Sequence, residues 1–144
     1  MNKANISMVT LGVEDLAAAT AFYRKLDWVL CKGSNENVTF LDGGHVVLGL
    51  FGHKALADDA GEPSNGEGFR GVACCFNQPD RASVDAYMAR AKDAGARITK
   101  EAHETFWGGY GGYFADADGH VWEVAHNPYA ELDADGRMIL EPEE

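Results

Sequence analysis

One residue able to do acid–base or ligand chemistry stands inside an otherwise apolar strand-like run, Glu123 in Val121-Trp122-Glu123-Val124-Ala125. A carboxylate raised in pKa by burial could take a proton from a carbon beside a carbonyl. Direct ligand contact is one reading of Glu123; pairing with an arginine of a partner subunit, or contact with pocket water, is the other. Cys31, Cys74 and Cys75 are odd in number and lack CxxC spacing, so neither a disulfide framework nor a zinc site is expected. Cys75 has no histidine beside it to activate it and reads as a small thiol able to face the same concavity as Glu123. His45, His120 and His126 stand at odd offsets from Leu48 or Glu123 and read as turn-capping or helix-facing. His53 and His103 are placed in loops, without a ligand partner at a recognised spacing. In the run Trp107-Gly108-Gly109-Tyr110-Gly111-Gly112-Tyr113, aromatic faces alternate with flexible backbone. Either these rings adapt to a ligand, or they fill the space between sheet and helix. Asp116-Ala117-Asp118-Gly119 has its glycine at the fourth position instead of the sixth, which favours a hairpin turn over a calcium loop.

The elements that must position these residues occur twice. Gly43-Gly44-His45-Val46-Val47-Leu48 and Asp118-Gly119-His120-Val121-Trp122-Glu123 each join a tight turn to an apolar strand. Ile6–Val13 alternates as a strand, and Asp15 caps a helix with Leu16, Ala19, Tyr23 and Leu26 on one stripe. Asp27 falls where that helix must stop, a place that suits glycine better. Trp28–Lys32, Asn37–Asp42 and His45–Phe51 are three further strands. The order repeats with a strand at Phe69–Phe76, a helix opened by Pro79-Asp80 (Val84, Tyr87, Met88 and Ala91 on one stripe, Gly95 as its stop), and strands at Ala96–Lys100, Gly111–Ala115 and His120–His126. Residues 1–144 are read as one domain: module one about 5–52, a connection without periodicity about 53–68, module two about 69–128, and a solvated acidic tail 129–144.

A chain of 144 residues and formal charge −11 repels nucleic acid and anionic lipid alike, so no nucleic-acid or membrane partner is expected. No apolar run is long enough to span a bilayer and the N-terminus lacks a signal-peptide pattern, which makes the cytoplasm the expected location.

The paired motifs, with Val9-Thr10-Leu11-Gly12-Val13-Glu14-Asp15-Leu16, Phe22-Tyr23 and Asp116–Glu123, resemble the vicinal oxygen chelate superfamily across roughly residues 5 to 128. That superfamily includes glyoxalases, extradiol dioxygenases and bleomycin-resistance binding proteins. The resemblance implies an α+β fold of two βαβββ modules whose curled mixed sheets enclose a concave pocket, and a homodimer. In metal-binding members the ligands come from the first and fourth strands of each module, which by motif alignment are Met8, Leu48, Gly71 and Glu123. Only Glu123 among these suits a divalent cation, so no metal and no cofactor is expected. Alternation gives a lining of Met8, Thr10, Gly12, Val46, Leu48, Leu50, Gly71, Ala73, Cys75, Val121, Glu123 and Ala125, suited to an uncharged or cationic organic molecule. The expected ligand contacts are Glu123, Trp107, Tyr110, Tyr113, Met8, Leu48 and Cys75, with Glu123 the catalytic candidate. Three functions follow from this: metal-independent binding of a small organic molecule, a glyoxalase- or dioxygenase-type enzyme with a divergent metal site, or a regulatory or structural module with a filled pocket.

Overall fold

The computed structural model describes residues 5–140, and the chain divides after Arg70 into two compact units. Unit 1 runs β1 (Met8–Val13), α1 (Leu16–Lys25), β2 (Val29–Leu30), β3 (Val38–Asp42), β4 (Val47–Gly52) and α2 (His53–Ala60). Its sheet has the order β1-β4-β3-β2, parallel between β1 and β4 and antiparallel elsewhere. Asp15 caps α1 by accepting from the Ala18 amide at 3.0 Å, and Tyr23 and Leu26 bury the helix stripe. Leu11, Val13, Leu41, Leu48 and Leu50 are buried in the same unit. The helix ends at Asp27, which adopts a left-handed φ of 67°; Gly95 holds the matching place in unit 2 without the Cβ strain.

The connection read as aperiodic contains a helix. Residues His53–Ala60 form α2, closed by Gly61 at φ 74°. Gly12 makes room for it: a Cβ there would meet His53 Nδ1 at 3.0 Å and Leu56 Cδ2 at 3.4 Å. The short Lys54-Ala55-Leu56-Ala57 stretch is helix-compatible, but its contact with β1 is a long-range one that local pattern does not reveal.

Unit 2 runs β5 (Ala73–Asn77), α3 (Arg81–Asp93), β6 (Arg97–Glu104), β7 (Tyr110–Ala115), β8 (Val121–His126), β9 (Glu131–Leu132) and β10 (Met138–Ile139). Its main sheet repeats the first, in the order β5-β8-β7-β6 with β5 and β8 parallel. Asp80 caps α3 at 2.7 Å from the Ser83 amide, and the Ser83 hydroxyl together with that amide holds its carboxyl below the usual range. Val84, Met88 and Ala91 are buried on α3, and Phe114, Trp122 and Val124 are buried on the sheet. Phe114 stacks on Trp122 at 6.5 Å and on Tyr87 at 6.3 Å. The acidic tail is not wholly irregular: β9 and β10 form a two-stranded antiparallel ladder around Gly136, with Asp133 Oδ1 accepting from the Asp135 and Arg137 amides. Residues 141–144 of that tail lie outside the described residues.

Candidate functional site

Cross-strand register decides which side chains share a face, since residues directly opposite one another point the same way. In unit 2, Cys75 lies opposite Glu123, Glu123 opposite Tyr113, and Tyr113 opposite Lys100. One row of four therefore crosses the sheet. The row on one side is Ala73, Val121, Ala115 and Arg97; on the other it is Asn77, Ala125, Gly111 and His103. Neighbouring strands are about 4.8 Å apart and same-face residues on one strand roughly 7 Å apart, so these rows form a continuous surface.

Glu123 is the acceptor at its centre. The Cys75 thiol and the Tyr113 hydroxyl flank its carboxylate, whose charge and acceptor oxygens help to keep both of them protonated. Cys75 meets solvent at the edge strand, yet the protein around its sulfur displaces enough water to push its pKa up to about 12, helped by the charge and hydrogen bond of Glu123. Desolvation, and then the bond to Glu123, raises the Tyr113 hydroxyl as well. Neither group ionises near neutral pH. They flank the carboxylate as neutral donor groups, and Cys75 is not activated as a nucleophile.

The aromatic loop splits between two faces. Tyr110 stands opposite His126 on the α3 side, donates to Asp85 at 2.6 Å, and carries Arg81 over its ring at 5.1 Å. It is therefore part of the sheet–helix packing and lies away from Glu123, contrary to the sequence reading. Trp107 folds back over Gly109, where a Cβ would fall within 2.0 Å of the indole. Because Gly109 continues the alternation of Gly111 and Tyr113, the indole sits at the end of the Glu123 face, with Gly111 and Ala125 as the small-residue floor between. Tyr129 packs against Gly108.

Several placements made from sequence require correction. Met8 stands opposite Val47 and shares its face with Thr10 and Gly49, whereas Leu48 stands opposite Val9 and is buried with the unit 1 core. Leu48 and Leu50 are thus on the other face from Met8, and Val47 and Gly49 take their place. Gly71 lies before β5 in a left-handed conformation, and the residue at the register of Met8 is Ala73. His103 is in β6 and His53 opens α2; neither is in a loop. The lining is also more charged than alternation implied, because Arg97, Lys100 and His103 join it from β6. Pairing of β6 with β7 shows this, and for Lys100 only the bulged register does so. His126 does face α3, where its Nδ1 lies 3.1 Å from the Gln78 carbonyl oxygen. Asp116 makes a turn, its Oδ1 accepting from the Asp118 and His120 amides at 3.0 and 2.9 Å.

Two concavities lie elsewhere. A cleft of about 200 Å³ is lined by Asn77, Gln78, Pro79, His126, Asn127, Ala130 and Leu132, and an open groove of about 570 Å³ runs between α1 and the β2–β3 segment. The Glu123 face is preferred as the candidate site because it sets a carboxylate between a thiol and a phenol hydroxyl on a face that also carries Lys100.

The chain matches the family model described as Glyoxalase/Bleomycin resistance protein/Dioxygenase superfamily over residues 5–124. With the paired βαβββ sheets on which Glu123 is displayed, this match places the chain in that superfamily. Its structure is similar to that of a glyoxalase-related enzyme from Fulvimarina pelagi (29% identity, 96% of this chain and 99% of that one, TM-score 0.87). It is also similar to a lactoylglutathione lyase from Agrobacterium tumefaciens (27% identity, 88% and 96%, TM-score 0.67). A family member from Burkholderia phytofirmans PsJN shares the fold at 23% identity, covering 85% of this chain and 98% of that one, with a TM-score of 0.78. No functionally curated protein matches the sequence.

The corrected register allows the metal set implied by the resemblance to be tested. The paired first- and fourth-strand positions are Met8 with Gly49 in unit 1 and Ala73 with Glu123 in unit 2. Gly49 and Ala73 have no donor atom and Met8 has only a thioether, so these residues do not fit a divalent cation. Among the described residues, no three His, Cys, Asp or Glu side chains are grouped as a metal ion requires.

Proposed function

We propose that this protein binds a small organic molecule on the unit 2 sheet face and does so without a divalent metal. The observation that carries this reading is the Cys75–Glu123–Tyr113 row, in which two protonated side chains flank one carboxylate on a shared sheet face. A carboxylate flanked in this way has lone pairs left for a ligand's donor and pays little ordering entropy when the ligand arrives. Glu123 and Trp107 bind the two ends of the molecule, Tyr113 and Cys75 position the carboxylate, and Gly111 and Ala125 give the body room.

The proposal includes a homodimer, supported by exposed apolar side chains at Ile6, Val29 and Val72 and by the edge strands β1, β2, β5 and β6, and it takes the cytoplasm as the location. Among the described residues no helix is long and apolar enough to cross a membrane. Light scattering on the purified protein should give twice the chain mass, and a chain mass at micromolar concentration would remove the dimer.

A ligand found by thermal-shift screening should lose about 1.5–3 kcal/mol of binding energy on Glu123→Gln and a comparable amount on Trp107→Ala. Calorimetry on protein treated with chelator should give the untreated affinity. One tightly held metal per chain, with binding lost on its removal, would defeat the metal-free reading. It would favour a second one, a glyoxalase-type enzyme, which the likeness to the Agrobacterium lactoylglutathione lyase supports.

A further inference from the structure

Under strict alternation the β6 segment Arg97-Ile98-Thr99-Lys100-Glu101-Ala102-His103-Glu104 would show Arg97, Thr99, Glu101 and His103 on one face and Ile98, Lys100, Ala102 and Glu104 on the other. The strand departs from this twice, with register shifts between Ile98 and Lys100 and between Lys100 and His103. A bulge sets two residues opposite one and re-aims the side chains that follow. The first shift brings Lys100 opposite Tyr113, onto the face of Glu123. The second leaves Glu101 and Ala102 opposite Gly112, on the side where a Gly112 Cβ would meet Met88 of α3, and returns His103 to the Glu123 face opposite Gly111. Glu104 falls opposite Tyr110 on the α3 side and pairs with Arg81 at 2.7 Å.

The pairing thus sorts the strand's charges. Arg97 and His103 stand on the candidate face as alternation alone would place them, Glu104 stands away from it, and the two bulges add Lys100 to that face and remove Glu101. The Arg97 and Lys100 side chains make no hydrogen bond or ion pair among the described residues. His103 uses Nδ1 against the Glu101 carbonyl oxygen at 3.1 Å, which leaves Nε2. In a chain of formal charge −11, gathering unpartnered cations along one edge of a face costs self-repulsion that an arriving anion relieves.

We infer that the molecule bound here is a small organic carboxylate bearing a hydroxyl group. Its carboxylate pairs with Arg97 and Lys100, with His103 as a further donor, its hydroxyl donates to Glu123, and its body lies over Gly111 and Ala125 toward Trp107. Two strand spacings, roughly 10 Å, separate the β8 and β6 backbones, and the long Arg and Lys side chains reach back over Tyr113. That span suits one ring with a short acid arm. A polyanion is disfavoured, because Glu123 would repel its second charge. This inference rests on the proposed function and names the ligand class for the same face.

Titration calorimetry with 4-hydroxyphenylacetate, its uncharged amide 4-hydroxyphenylacetamide and the cation tyramine tests it. The acid should bind about tenfold or more tightly than the amide, and tyramine should bind weakest. The double substitution Arg97→Gln/Lys100→Gln should abolish the preference for the acid, while Arg81→Gln, on the α3 side, should preserve it; thermal melts would verify that both variants fold. Equal binding of acid and amide, tighter binding of tyramine, survival of the preference in the double variant, or no binding of the acid at millimolar concentration would each overturn the inference. Glu123→Gln separates the two levels: if it weakens the amide while the acid has no advantage, only the carboxylate class fails, and if it changes neither probe, the site itself fails.

Discussion

Where unit 2 carries Cys75, Glu123 and Tyr113 across three strands, unit 1 carries Thr10, Gly49 and Phe40 in the same register. Both units bury a helix stripe against one face of a four-stranded sheet of the same order. The other faces diverge. Gly49 offers no side chain, Phe40 lacks the hydroxyl of Tyr113, and the Met8 thioether and Thr10 hydroxyl close over the glycine, so that a Cβ at Gly49 would meet each of them at 3.2 Å. The comparison shows that the duplicated architecture is maintained by its helix-facing cores, while the opposite face is free to fill itself in one unit and to collect polar groups in the other. Packing constrains the first face, and under the proposed function ligand chemistry constrains the second.

The strongest way to break this comparison is through the cores. Phe114→Ala in unit 2 should cost about 3–5 kcal/mol and Leu50→Ala in unit 1 about 2–5 kcal/mol, since both side chains are almost fully buried. Urea unfolding of each variant measures this. A loss under about 1 kcal/mol for either would show that its core does not carry its unit.

A smaller effect sharpens the contrast between the open faces. Gly49→Ala should cost about 1–3 kcal/mol by overpacking against Met8 and Thr10, and much of that loss should be recovered when Met8 is also changed to Ala. A double-mutant cycle on thermal or urea stability reads the coupling. Additive effects would mean that Met8 does not fill the space above the glycine.

The smallest effect concerns ionisation at Cys75. Its folded pKa of about 12 lies above the ordinary thiol value of 9.0, so the folded state keeps a proton that the unfolded chain gives up in between. Its stabilising contribution is therefore full below pH 9 and is lost as pH rises through 9 toward 12. Glu123→Gln removes the charge that disfavours the thiolate and should flatten this alkaline decline. It should also speed iodoacetamide labelling of Cys75 several-fold at pH 8. An unchanged labelling rate, followed by peptide mass spectrometry, would sever the thiol from Glu123. Thr10, its counterpart in unit 1, has nothing to titrate in this range.

The repeat, both helices with aspartate caps, and nearly every strand of the main sheets were legible in the sequence, because each depends on spacing within a dozen residues. The stripe Val84, Tyr87, Met88 and Ala91 packs as its period implied. Glu123, Tyr113 and Cys75 were also legible as residues of one face. The misplacement of Leu48 and Gly71 has one physical origin: alternation orders the residues within a strand, but only pairing says which residue of the neighbour stands opposite, and an offset of one turns every side chain over. The helix α2 was hidden because its stability depends on a notch at Gly12, some forty residues earlier in the chain.

What the sequence by itself determined was the family, the duplicated βαβββ order and the single acidic side chain in the last main strand, since residue types and local periods encode all three. Tertiary structure alone decided that Tyr110 turns to Asp85 while Tyr113 turns to Glu123, that Gly49 and Ala73 occupy the remaining ligand positions, and that pairing puts Arg97 and His103 on the Glu123 face while two bulges bring Lys100 between them and turn Glu101 away. Register and bulges are set by hydrogen-bonded pairing between segments distant in sequence, so no local pattern records them.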